Sequence, residues 1–478
     1  MTRPGWRLAL AGGLALGIAV RAVDFLNCRS LGLDEARLAV NLASRSFFDL
    51  LKPLDLEQAA PPLFLWGERL VLLLFGTGDC TLRLLPVLAG TLAAALIYAF
   101  ARRFLEDAEA SLAALIAIFC PLLITYSNAL KQYSVELLVA VLLLLLFERA
   151  LGRAEKHEIA PAVLAAGALA PWLSLTSVFV LATAWLLLVA RACRGRPGAA
   201  RLAAASTLAW GASGAAAYAA VYGASGRNPY LRRFWELAFV QPNRPGFATH
   251  AWKSVEDLVW GFVAGDPLVD RAPFLWPLHV GSALVVILCG LGILRVARTR
   301  GWKQGWWLWG PVLVTFVASM LGLFPIAPRL TLFLLPGLIV VFTAGLAEAL
   351  SRMRLAAGTH RLAIAGAILV VPMVLHALVR TLSLEPTGRF QGLVGELRER
   401  RRAGEPVYVF ARSLPAWIYY STDWERPDTA RLRALIRAAD AGGPSFENAP
   451  SRGRVGLEEA DGLRPMVEGW GEVLGLPS

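Results

Sequence analysis

Residues 138–147 read LVAVLLLLLF, and the stretch leading into them, 126–138, reads YSNALKQYSVELL. The first is too uniformly apolar to be one face of a water-facing helix, whereas about 20 such residues cross the roughly 30 Å of a bilayer's hydrocarbon. The second sets Lys131, Gln132, Tyr133 and Glu136 at the mouth of that run. Gln132 and Tyr133 precede Glu136 by four and three residues, so a helix carries all three on one face. Charge at the edge of hydrocarbon is costly and usually marks a site.

The same theme recurs along the chain. Its 478 residues are 56% hydrophobic and 17% charged, with a net charge of +12. Further apolar runs, such as LPGLIVVFTAGLA at 335–347, separate short basic loops. These loops hold Arg102–Arg103, Arg149/Arg153/Lys156, Arg191/Arg194/Arg196/Arg201, Arg295/Arg298/Arg300/Lys303 and Arg352/Arg354/Arg361. Placing them all inside with Arg3 and Arg7 predicts spans near 6–26, 84–101, 110–126, 134–148, 159–172, 174–190, 202–222, 276–294, 306–324, 330–349 and 362–380. That is an all-α polytopic membrane protein with about eleven crossings. Segment 159–190 is read as a short hairpin hinged at Pro171, because a single tilted span there would invert every later loop. No small-residue cleavage site follows Leu26, so the first span is read as uncleaved. The basic balance implies contact with anionic lipid. No basic tract with interleaved aromatics points to nucleic acid.

Three segments then lie outside the cytoplasmic membrane. In the first, 27–83, EARLAVNLASRSFFDLL (35–51) and PLFLWGERLVLLLF (62–75) read as amphipathic helices along the membrane surface. The second, 223–275, mixes arginines with Trp235, Trp252 and Trp260, which suits headgroup level. The third, 382–478, has the charge density of a small soluble α/β domain after a transmembrane domain of residues 1–381. In it VYVF (407–410) reads as a strand and TARLRALIRAADA (429–441) as a helix ended by Gly442–Gly443. Trp417, Tyr419 and Tyr420 could bind an acceptor, though the plainer reading is the domain's own core. Cys28 and Cys80 bracket the first loop and could pair on an oxidising side; two free thiols are the plainer reading.

On the outer face the topology collects Asp34 and Glu35 from LGLDEARLAV (31–40), Asp55, Glu57 and Gln58 from KPLDLEQAAPPLFLW (52–66), Lys131 and Glu136, and Arg329 from FPIAPRLTLFLLP (324–336). Each has a plain structural reading. Asp34 could be the N-cap of a helix starting at Glu35. Glu136 could pair with Lys131 or snorkel, and Arg329 could anchor to headgroups. Asp34, Asp55 and Glu57 offer hard oxygen ligands for a divalent metal, a weak signal from loop acids. Taken together, carboxylates beside cations at a membrane surface suit transfer from a lipid-linked phosphate. A carboxylate serves as general base for a hydroxyl, and Arg and Lys hold the phosphate. The chain has no Walker A loop and no G-x-G-x-x-G after a strand.

With these residues in place, the chain resembles the GT-C superfamily of membrane glycosyltransferases, in the branch of protein O-mannosyltransferases and lipid A aminoarabinose transferases. The matching pieces run in order: LGLDEARLAV, EQAAPPLFLW (57–66), GTGDCTLRLLPVLAGTLAAALIYAFARR (76–103), SNALKQYSVELL and the short PxxxRLTLFLLP-like turn. The resemblance implies Asp34 as catalytic base, Glu35 as its supporting neighbour and Glu136 as the second acid, usually Asp in the family. It implies Arg329 and Lys131 as phosphate contacts, with Glu57, Gln58, Gln132 and Tyr133 toward the substrates. Ala59–Ala60 stand where relatives carry a charged residue or His, so Glu57 could substitute there. The expected reaction is an inverting displacement on a polyprenyl-phosphate sugar by a hydroxyl of a glycan, glycolipid or protein. Some relatives use a divalent metal and others do not. The rival reading is a transporter or lipid flippase, which would show paired broken helices and midplane sites. Sugar, acceptor and oligomeric state are not legible.

Overall fold

The computed structural model describes residues 3–152, 160–223, 228–263, 278–353, 358–382, 390–400, 407–441, 454–459 and 462–464. In chain order its helices begin with α1 (Arg3–Leu26), α2 (Leu33–Ser44), α3 (Pro62–Phe75), α4 (Leu84–Ala101), α5 (Asp107–Phe119), α6 (Pro121–Ser127) and α7 (Tyr133–Gly152). There follow α8 (Ala160–Leu173), α9 (Ser177–Ala192), α10 (Pro197–Ala217), α11 (Pro229–Phe234), α12 (Phe247–Val263), α13 (Leu278–Arg300), α14 (Trp302–Met320), α15 (Leu335–Arg352) and α16 (Gly358–Leu382). The C-terminal segment adds α17 (Phe390–Arg400), β1 (Val407–Phe410), α18 (Leu414–Ser421), α19 (Thr429–Ala441), β2 (Arg454–Glu459) and β3 (Gly462–Arg464). The strands form one antiparallel sheet in the order β1-β2-β3.

Each apolar segment of the sequence is helical, and its ends follow local chemistry. Pro62, Pro121 and Pro197 each sit in a first turn, where the missing N–H costs nothing. Cys120 precedes Pro121 and is driven out of helical geometry (ψ 119°), so α5 and α6 meet at a 50° bend. Gly301, at φ 88°, turns the chain between α13 and α14 in a conformation that L side chains resist. Asp428 accepts the N–H groups of Ala430 and Arg431, both at 3.0 Å, which starts α19 where the sequence places a helix. Gly442–Gly443, its expected stop, lie outside the described residues.

Two expectations change. The stretch 35–51 is not one helix: α2 ends at Ser44, Arg45 is extended, and a single 3-10 turn follows at Asp49–Leu51. The Arg45 guanidinium reaches the carbonyls of Asp49 (3.2 Å) and Pro53 (2.8 Å), tying the chain back on itself there. Pro171 is not the hinge of 159–190; it lies inside α8, and the break falls at 174–176, where the Ser174 hydroxyl accepts the Ser177 N–H that opens α9.

The chain divides into two compact units. The first comprises Met1–Leu26, Leu85–Tyr218 and Phe234–Ser383. Its centre is made of α5, α6 and the first two-thirds of α15, buried almost without interruption. Leu8, Leu88, Leu208 and Ile368 point outward at its rim, as lipid-facing residues do. Helices α13 and α15 cross backbone to backbone: a Cβ on Gly345 would stand 1.7 Å from the Leu288 carbonyl oxygen, and one on Gly292 1.7 Å from that of Val341. Small residues permit such approach where lipid offers no hydrophobic drive between helices. Five described helices are long and apolar enough to span a bilayer, or six if the bent α5–α6 pair counts as one; α8 and α9 are shorter and apolar. The chain is a multi-pass, helical membrane protein.

The second unit comprises Asn27–Leu84, Ala219–Arg233 and Leu384–Ser478. A disulfide joins Cys28 to Cys80 across 52 residues, contrary to the plainer reading of two thiols. Closing a loop of that size restricts the unfolded chain by about 4 kcal/mol. α3 exposes Leu70, Leu73, Leu74 and Phe75, an apolar face of the kind a surface-lying helix turns to lipid.

Candidate functional site

The first acidic pair lies in the second unit, at the start of α2. The helix begins at Leu33 and its cap residue is Gly32, so Asp34 is a first-turn residue and not the N-cap considered from the sequence. The reciprocal capping falls to Glu35, whose Oε2 accepts the Gly32 N–H at 2.8 Å. The same carboxylate takes two bonds from the buried Arg83, from Nε at 3.0 Å and from Nη2 at 2.8 Å. Arg83 also donates to the carbonyls of Arg29 and Ser30. A bidentate charged pair of this kind fixes geometry as well as energy. Glu35 is therefore occupied with holding the segment, while Asp34 is exposed on it. Acidic side chains here are also favoured by the partial positive charge of the helix N-terminus.

The second acidic stretch is bound to α2 from the side. Asn41, fully buried, accepts the Asp55 N–H at 2.9 Å and donates to its carbonyl at 3.0 Å, and Arg45 pairs with the Asp55 carboxylate at 2.8 Å. Next in the chain, Leu56 and Glu57 both adopt left-handed backbone conformations, at φ 59° and 56°. Such strain costs of order 1–3 kcal/mol per residue and clusters at functional sites. Glu57 is half-buried, and desolvation pushes its carboxyl up to about 7, opposed by the charge of Arg37 and reinforced by that of Asp440. Its Oε2 is buried with no hydrogen-bond partner among the described residues. Gln58 turns back to the Leu56 carbonyl at 3.2 Å. Among the described residues no three His, Cys, Asp or Glu side chains gather as a metal-ligand group, so Asp34, Asp55 and Glu57 do not assemble the set considered above. Asp55 is committed to Arg45 instead.

The remaining candidates lie in the first unit. Glu136, in the first turn of α7, is buried, and its Oε1 accepts the Leu175 N–H at 3.1 Å at the α8–α9 break. Its carboxylate thereby holds two helices in place, a contact that neither the snorkelling nor the ion-pair reading anticipated. Gln132 accepts the Glu136 N–H at 2.9 Å, the i−4 relation expected. Tyr133 is buried edge-to-face against Tyr126, with ring centroids 5.1 Å apart. Lys131 lies on the α6–α7 connection, half-buried. Arg329 is the second residue of the 3-10 turn leading into α15, after Pro328, and lays its guanidinium over Trp235, 4.8 Å from the ring centre.

Three features escaped the sequence reading. Arg21 and Asp24 lie inside the first apolar run; Arg21 is buried and donates to the Ile118 carbonyl (2.9 Å) and the Ser127 hydroxyl (3.3 Å), and Asp24 accepts from Asn128 (2.8 Å). Their i,i+3 spacing within a span was the available signal. Glu68, on α3, is wholly buried, and neither carboxylate oxygen has a partner among the described residues; burial drives its carboxyl well above the ordinary range. A cavity of about 290 Å³ lined by Glu106, Glu109, Arg295 and Arg300 opens at the N-terminal end of α5, the end remote in sequence from Lys131 and Glu136.

Residues 59–211 match the family model described as dolichyl-phosphate-mannose-protein mannosyltransferase. That span includes Lys131, Gln132, Tyr133 and Glu136 and begins just after Glu57 and Gln58. No curated protein matches the chain. Among solved structures, ArnT from Cupriavidus metallidurans bound to undecaprenyl phosphate is similar, with a TM-score of 0.53 at 16% identity over 87% of this chain and 85% of that one. Its apo state gives 0.51 at 17% identity, over 88% and 85%. At such identity the likeness is one of fold, carried over nearly the whole length of both chains. The chain has the GT-C fold, that of polytopic membrane glycosyltransferases.

Proposed function

We propose that the protein is an inverting glycosyltransferase that moves a sugar from a polyprenyl-phosphate donor to a hydroxyl acceptor on the outer face of the cytoplasmic membrane. About eleven crossings with the basic loops inside, and a C-terminal α/β domain outside, complete the reading. The observation that carries it is the solvent-exposed carboxylate of Asp34 in the first turn of α2, beside Glu35, which Arg83 and the Gly32 amide hold. A carboxylate set on a helix and accessible to substrate is what a general base requires. The ArnT relative is bound to undecaprenyl phosphate, which supports a lipid phosphate as the carrier here.

In the proposed reaction Asp34 accepts the proton of the acceptor hydroxyl as its oxygen bonds to C1 of the sugar. The C1–oxygen bond to phosphate breaks with inversion, and polyprenyl phosphate departs with the electron pair. Lys131 and Arg329 are the proposed phosphate contacts, which stabilise the leaving group as its charge grows. Glu57 and Gln58 serve the substrates, with Glu57 in place of the charged residue that Ala59–Ala60 lack. Glu136 is the proposed second acid, and Gln132 and Tyr133 are proposed substrate contacts. The apolar walls between helices suit the isoprenoid tail and surrounding membrane lipids. A transporter would break corresponding helices in both halves; the described residues hold one such bent pair, α5–α6.

Mass spectrometry of membrane glycolipids and glycoproteins, from cells with and without the protein, identifies sugar and acceptor. Asp34→Asn then lowers transfer by about 10²–10⁴-fold with folding intact. Undiminished transfer by that variant removes Asp34 as the base.

A further inference from the structure

The second unit contains two contacts that bring the C-terminal segment onto the acidic stretches. Tyr420, at the end of α18, accepts the Leu31 N–H at 2.6 Å and donates to Asp79 at 2.8 Å. Its neighbour Tyr419 donates to the Thr77 carbonyl at 2.7 Å. Leu31 is the residue from which the chain enters Gly32 and the Asp34–Glu35 turn of α2, and Asp79 and Thr77 belong to the strand of chain that carries Cys80 and Arg83. Independently, Asp440, near the end of α19, accepts the Leu56 N–H at 2.9 Å. Leu56 is the first of the two residues held left-handed, the second being Glu57. A strained pair persists only where its surroundings over-determine it.

The aromatic pair therefore does more than fill the core of its own domain: it bonds to residues 31, 77 and 79 of the first loop. We propose that Tyr420 and Asp440 are positioning residues, through which the C-terminal domain fixes the two acidic segments of residues 27–83 in the geometry that transfer requires. The inference rests on the reading of the protein as a glycosyltransferase with Asp34 as base. It extends that reading by giving the C-terminal domain a part in the rate and not only in stability. Tyr420 touches the frame on which Asp34 stands, and Asp440 touches the backbone that aims Glu57; neither needs to touch substrate.

The test uses the full chain in membranes, with polyprenyl-phosphate-linked mannose as donor probe and the cell's own membrane extract as acceptor. Tyr420→Phe keeps the ring and removes both bonds; Asp440→Leu removes the acceptor, and Asp440→Asn keeps one. Tyr420→Phe and Asp440→Leu each lower kcat by about tenfold and change KM for the donor less than about twofold, while Asp440→Asn retains the native kcat. Hydrogen exchange accelerates at the Leu31 amide in Tyr420→Phe and at the Leu56 amide in Asp440→Leu. Native kcat in both, or an Asn variant as slow as the Leu variant, overturns the proposal. If the unsubstituted protein transfers nothing from the probe, the sugar-transfer reading falls and the part in the rate falls with it; unchanged exchange at both amides overturns the clamp separately, and faster exchange leaves it standing as a structural contact alone.

Discussion

Asp34 and Glu35 are adjacent, share a charge and a helix turn, and yet stand in opposite circumstances. Glu35 is held by a guanidinium and a backbone amide, and Asp34 is exposed beside it. Nothing in the order Asp-Glu says which acid Arg83 takes; the fold gives it Glu35. Glu57 shows the other way an environment sets a residue's behaviour. Its ordinary value of 4.5 rises to about 7 through desolvation, so between those two values the folded protein holds a proton that the unfolded chain has lost. Stability of the second unit accordingly falls as pH climbs from about 4.5 to about 7 and levels off above. Glu57→Gln flattens that part of the profile, measured as the thermal unfolding midpoint against pH. An identical slope in the variant would assign the dependence to other groups, Asp79 first among them, since burial pushes its carboxyl up to about 6.

At the scale of elements, the crossing of α13 and α15 depends on glycines that leave no room for any side chain. With a Cβ only 1.7 Å from a carbonyl oxygen of the facing helix, Gly345→Ala forces the two backbones apart. Overpacking of this kind costs about 1–3 kcal/mol. The expected outcome is a lower unfolding midpoint and reduced yield of folded protein in detergent, with Gly290→Ala, where a Cβ meets open space, as the neutral control. Equal stability of the two variants would mean the helices sit further apart than described. The α5–α6 bend belongs to the same scale and follows from two residues, Cys120 and Pro121, without tertiary help.

For the molecule as a whole, the proposed orientation puts every basic loop on the cytoplasmic side. Cys193 is an exposed free thiol in the loop carrying Arg191, Arg194 and Arg196, whereas Cys120 is buried and Cys28 and Cys80 are joined. A membrane-impermeant maleimide therefore labels Cys193 only after the cells are permeabilised, with Cys193→Ser as the blank. Labelling of intact cells through that residue would invert the topology and carry the proposed outer site to the wrong side.

The sequence by itself determined that the chain is a helical, multi-pass membrane protein, and where many of its described helices begin and end. A run of apolar residues has one low-energy arrangement in hydrocarbon, with its backbone bonds closed inside a helix, and prolines and basic loops punctuate it locally. The predicted strand at 407–410 and helix at 429–441 were legible for the same local reasons. Tertiary structure decided the rest: that α2 stops at Ser44, that Glu35 goes to Arg83 and Glu136 to the Leu175 amide, that Cys28 meets Cys80, and that Tyr420 and Asp440 grip segments 389 and 384 residues away in sequence. Each of these joins groups distant in the chain, so the partner that gives a side chain its role appears nowhere in its neighbourhood until the chain has folded.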